Sequence, residues 1–127
     1  MQECYVMIST TADGVENEIT REGKMELFPR AATIVYREEN ALVKVSVHGD
    51  KATITREGDY TMHLDLEKGK TTLGSLGIGG SVGEVGTHAY EIAYRITEDF
   101  FVASLHYDLL IGEERQTMKL RLLSHKK

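Results

Sequence analysis

From Tyr60 to Leu123 apolar and polar side chains alternate almost without interruption. A period of two places successive side chains on opposite faces of a strand, so this half of the chain predicts a curved sheet with one greasy face. Tyr60, Met62, Leu64 and Leu66 share a face against Thr61, His63 and Asp65. Tyr90, Ile92, Tyr94 and Ile96 form a second apolar row, Phe101 through Ile111 at odd positions a third, and Met118, Leu120 and Leu122 a last. The one break is a glycine tract, Gly74 to Gly86, which holds half of the twelve glycines.

The first half shows shorter signals of the same kind. Cys4 to Thr11 reads as a strand reversed by Asp13-Gly14, a pair that accepts positive φ, into Val15 to Arg21. Glu22 to Leu27 is a weaker segment, ended at Phe28-Pro29-Arg30 because proline cannot donate to a ladder. Ala32 to Tyr36, Leu42 to Val47 and Ala52 to Arg56 follow, with Gly49-Asp50 turning between the last two. Gly58 permits another reversal or a bulge, and Glu67-Lys68-Gly69-Lys70 a hairpin turn into Thr71 to Leu76. Nowhere do twelve residues keep a helical period. The pattern predicts an all-β, antiparallel up-and-down barrel of eight to ten strands. An immunoglobulin-like sandwich is the alternative, disfavoured because the last strands run long and sequentially, without room for Greek-key returns.

Length and composition narrow the setting. Residues 1–127 fit a single domain that buries about two-thirds of its unfolded surface without disulfide or metal. Cys4 is the only cysteine, so no intrachain disulfide forms, and a cytoplasmic, reducing location is expected. The first residues lack a basic leader, and no segment approaches the roughly twenty apolar residues of a membrane helix. A net charge of −5 repels phosphate backbones. Lys119, Arg121, His125, Lys126 and Lys127 make a basic stripe, but scattered cations on a last strand more often meet water than a polyanion. Nucleic acid and membrane are therefore not expected partners, whereas an unclosed edge strand could pair with a second copy.

The run Ile54-Thr55-Arg56-Glu57-Gly58, with Met62, Gly69-Lys70-Thr71-Thr72, Gly80, Val85, Thr87, Tyr107 and Leu109, resembles the YwiB-like family of small bacterial proteins. The likeness spans roughly Gly23 to Leu122. It implies a barrel of the calycin type, the group that includes lipocalins and fatty-acid-binding proteins, and a domain of unknown function. Where that family commonly carries a Thr-Pro-aromatic-Gly turn, this chain has Gly77-Ile78-Gly79-Gly80. No activity, cofactor or catalytic residue comes with the resemblance.

Candidate chemistry is sparse. The glycine tract lacks the lysine of a phosphate loop and runs into a strand where nucleotide motifs need a helix N-terminus, so it reads as a barrel corner or a flap. His63-x-Asp65 and His106-x-Asp108 each put an imidazole and a carboxylate on one strand face, yet on different strands, and solvation accounts for them without a metal. No nucleophile elbow is present, Cys4 has no nearby histidine, and Glu38-Glu39 and Glu113-Glu114 fall in turns. Arg56 shares strand parity with Ala52 and Ile54, and an inward guanidinium needs a carboxylate, phenols or an anionic ligand. Arg56, Tyr60, Tyr94 and Tyr107 are thus the candidate ligand-binding residues, for a small, partly apolar and carboxylated molecule held without catalysis. The plainer reading puts Arg56 at the barrel rim, paired to an acid. A barrel filled by its own side chains, acting as a structural or protein-interaction module, is the competing function.

Overall fold

The computed structural model describes residues 1–127. Ten strands follow one another: β1 (Gln2–Ala12), β2 (Val15–Phe28), β3 (Ala31–Glu38), β4 (Ala41–His48), β5 (Lys51–Gly58), β6 (Tyr60–Glu67), β7 (Thr71–Ile78), β8 (Ser81–Ile96), β9 (Phe100–Ile111) and β10 (Glu114–Lys126). Each pairs antiparallel with its neighbours in sequence, and β1 joins β10 from Cys4↔Lys126 to Ala12↔Met118, which closes the sheet. The result is an up-and-down closed barrel, consistent with the calycin-like architecture expected. No helix is long and apolar enough to cross a membrane.

Alternation sets the core. Val6 and Ile8, Ile34, Val45, Ile54, Leu64, Phe101, Leu105 and Leu122 all point inward and are buried. Their neighbours at odd offsets face out, as Lys24, Lys44 and His63 do. One pleated surface from every strand therefore condenses into a single packed interior.

Three local readings change. Val15 to Leu27 is one long strand, β2, and not two segments. Its first half pairs with β1 alone, because β3 joins only from Gly23↔Tyr36 onward. The outward side chains of that unpaired edge include Glu16, Glu18 and Glu22, carboxylates that hinder pairing with an identical edge. The glycine tract proves to be the end of β7, a two-residue turn and the start of β8. Gly79 and Gly80 take φ of 57° and 85°, the positive values a tight hairpin turn demands.

Tyr90 is the third correction. It was expected in an apolar row with Ile92, Tyr94 and Ile96, yet it is 44% exposed. A β-bulge between Ala89 and Glu91 inserts one residue against β9 and shifts the parity, so Ala89 and Ile92 face inward and Tyr90 is turned out.

Candidate functional site

The connections gather at two ends. At one lie the turns Asp13-Gly14, Glu39-Asn40, Asp59, Gly79-Gly80 and Gly112-Glu113. There the inward rows of four strands run on past the packed core: Tyr60 and Met62 from β6, Leu76 and Ile78 from β7, Val85 from β8, Leu109 and Ile111 from β9. These side chains line a cavity of about 230 Å³ that opens at the barrel mouth. All seven are apolar or aromatic. They hold core positions by parity; Val85 is buried, Met62, Leu76 and Leu109 are half-buried, and Tyr60, Ile78 and Ile111 are left exposed at the rim.

Arg56 sits beside this mouth and does not line it. Its guanidinium carbon stands 3.8 Å from the centroid of the Tyr60 ring, and Nη1 donates to the Tyr60 carbonyl at 3.0 Å. Nη2 meets Asp59 Oδ1 at 2.7 Å, and Glu38 Oε2 lies 3.8 Å from Nε. That Nε is buried without a hydrogen-bond partner. The hydrogen bond from Arg56 holds the Asp59 carboxyl below the usual carboxylate range. Two acids and an aromatic face thus engage Arg56.

Tyr107 is buried beneath the mouth, its pKa pushed up to about 12 by burial and by its neighbour Tyr60. Burial, with Glu38 and Tyr107 nearby, raises Tyr36 as well. Both phenols stay protonated at neutral pH. Tyr94 is elsewhere: its hydroxyl donates to the Gly49 carbonyl at 2.9 Å, at the opposite end of the barrel. Arg56, Tyr60 and Tyr107 therefore share one end; Tyr94 bonds toward the other, where a second opening of about 400 Å³ lies between Leu27, Phe28, Pro29 and Ile96.

A second constellation lies on the outer wall. His63 and Asp65 contact each other at 3.0 Å and are exposed. His106 and Asp108 do not bond; they meet instead through Tyr90. The Tyr90 hydroxyl donates to Asp108 Oδ2 at 2.6 Å, Thr117 Oγ1 donates to Oδ1 at 2.9 Å, and Arg115 stands 3.5 Å away. His88 and His106 pack on either side of Tyr90 at ring distances of 4.9 and 5.1 Å. Burial of Asp108 opposes its ionisation, but the hydrogen bonds from Tyr90 and Thr117 and the charge of Arg115 outweigh it and leave its pKa lowered. Both carboxylate oxygens are engaged, so this is a latch that fixes the bulge. Sequence reading missed it because only the bulge brings Tyr90 to that face. No three His, Cys, Asp or Glu side chains converge to hold a metal ion.

A larger groove, about 570 Å³, crosses the outer wall over Met7, Val102, Arg121 and Leu123, with Glu16 and Glu18 along one side. Its floor is the ordinary outward face of β1, β10 and β9.

Comparison with known proteins gives a family and a fold. A family model described as a domain of unknown function, DUF1934, matches residues 6–122. The crystal structure of ywiB protein from Bacillus subtilis is similar with a TM-score of 0.85 at 16% identity, over 99% of this chain and 92% of that one. That likeness speaks to the fold alone. Curated proteins give no match.

Proposed function

The chain belongs to the family of domain of unknown function DUF1934, and from that premise, which brings no activity with it, we propose a binding protein that takes a small apolar ligand at the barrel mouth. The observation that carries this is the cavity of about 230 Å³ between Met62, Leu76, Val85 and Leu109. At its rim Tyr60, Ile78 and Ile111, core positions by parity, are exposed, and apolar surface left in water is costly unless something apolar covers it. An engineered apolar cavity of about 150 Å³ accepts benzene, so this one has room for a single aromatic ring or a short alkyl chain. Binding without chemistry fits the surroundings. The nearby phenols are held neutral, and the arginine is already paired.

A protein-interaction module is the second reading, favoured by the outer groove over Met7, Val102 and Leu123. Methyl-labelled protein titrated with 2-phenylethanol separates the two. Shifts at Met62, Leu76, Val85 and Leu109, abolished by Leu76→Trp, are expected; shifts confined to Met7, Val102 and Leu123, or none, would overturn the mouth as the site.

A further inference from the structure

We infer that the mouth selects apolar molecules carrying an amine, against those carrying a carboxylate, which reverses the ligand charge suggested by Arg56. The inference rests on the mouth being the binding site. It stands on where charge falls around that mouth.

Four of the five turns at this end carry a carboxylate, Asp13, Glu39, Asp59 and Glu113, and none carries a cation. Glu38, Glu57, Glu84 and Glu114 flank them. Against these stand Arg37, Arg56 and Arg115, and two of the three are committed. Arg56 is spent on Asp59, Glu38 and the Tyr60 ring, and Arg115 on Asp108, so with those acids also committed Asp13, Glu39, Glu57, Glu84, Glu113 and Glu114 remain against Arg37. The opposite end differs: Arg30, Lys51, Lys68, Lys70, Lys126 and Lys127 are balanced there by Glu3, Glu26, Asp50, Glu67, Glu98 and Asp99. The net charge of the chain is therefore unevenly spread, and its negative part rings the apolar opening.

A ligand whose ring or chain fills the space between Leu76 and Leu109 leaves its head group at that rim. The Arg56 guanidinium is not among the lining groups; it stacks on the Tyr60 ring, which is, and is held there by Asp59, so the charge excess a head group meets at this rim is that of the turn carboxylates. An ammonium gains from this excess of acids. A carboxylate at the same place is repelled unless Arg56 leaves its partners.

Three probes of one shape test this by methyl chemical-shift titration: 2-phenylethylamine, 2-phenylethanol and phenylacetate. The amine should bind about tenfold or more tighter than phenylacetate at low salt, with the alcohol between. That gap should shrink as salt rises, because the Debye length falls from about 30 Å at 0.01 M to about 3 Å at 1 M. Glu113→Gln, in an exposed turn, should narrow the gap while leaving the alcohol unchanged. Asp59→Asn, which removes the charge facing Arg56, should improve phenylacetate. Phenylacetate binding tightest, or all three binding alike, would overturn the charge selection and leave the apolar site standing. If none of the three binds, the site itself falls, and the selection with it.

Discussion

Gly74→Ala and Gly83→Ala place the same methyl group in two glycines of one tract, and the barrel predicts opposite results. Gly74 lies in β7 where β6 crosses closely: a Cβ there would fall inside the contact distance of the His63 carbonyl oxygen and 3.1 Å from Leu64 Cδ2. The oxygen belongs to backbone, and Leu64 is fully buried, so neither can swing aside. Overpacking of this kind costs about 3 kcal/mol. A Cβ at Gly83 would meet nothing within 4 Å, and its φ is not in the left-handed region. Alanine there should stabilise by about 0.5 kcal/mol, because it restricts the unfolded chain more than glycine does. With 127 residues and roughly 2.1 cal/mol/K of unfolding entropy per residue, each kcal/mol moves Tm by about 4 °C. Calorimetry should then find Gly74→Ala about 11 °C below the wild type and Gly83→Ala about 2 °C above it. Equal shifts in the two variants, or a larger loss at Gly83, would refute the close crossing of β6 and β7 at this point.

Phe101 and Phe28 offer a similar contrast in the core: Phe101 is 0% exposed and Phe28 is 53% exposed. Urea unfolding should show Phe101→Ala losing about 4 kcal/mol with an unchanged slope, and Phe28→Ala losing less than about 0.5 kcal/mol. Asp108 should confer a pH dependence. Its folded pKa is lowered, so its contribution is complete above the unfolded carboxylate value of about 3.9 and disappears as pH falls through the folded value. The stability difference between wild type and Asp108→Asn should be flat from pH 7 to about 5 and shrink below about 4; a difference that stays constant to pH 2 would refute an ionised Asp108 latch.

The alternation of apolar and polar residues made the all-β class and the barrel legible, because a period of two leaves few choices once ten short strands must bury one face each. Inward positions such as Met62, Leu64 and Leu105 follow from parity alone. Parity fails where a strand gains a residue. Nothing local at Ala89-Tyr90-Glu91 signals the bulge; what stabilises it is Asp108 and Thr117, residues far along the chain. The same limit applies to the site. Parity placed Arg56 inward, which is right, but its partner Asp59 comes from the turn and Glu38 from β3, two strands away. Tyr94 shares the inward parity of Tyr107, yet parity says nothing of height along the barrel, and its hydroxyl ends at Gly49.

The two ends of the barrel are tied differently. At the Tyr94 end the hydroxyl bond to Gly49 spans β8 and the β4–β5 turn, and the β6–β7 connection is stitched on both sides, Lys68 donating to the Asp50 carbonyl at 2.9 Å and Gly69 to the Ala89 carbonyl at 2.8 Å. Lys126 bonds Asp99 and Lys127 bonds Glu3, which ties the last strand into the same rim. The other end is held less evenly. β8 joins β9 only from Gly86↔Leu110 onward, so Ser81 to Val85 lacks a β9 partner and the β7–β8 hairpin tip is anchored through β6 alone, at Tyr60↔Ile78 and Thr61↔Gly77. Val82, 78% exposed, stands on that tip, and Ile78 and Val85 behind it line the cavity. Gly79, Gly80 and Gly83 carry no side chain and give this tip little to pack with. At the mouth, the wall element with the fewest sheet partners is therefore the β7–β8 hairpin tip, whose Ile78 and Val85 line the cavity.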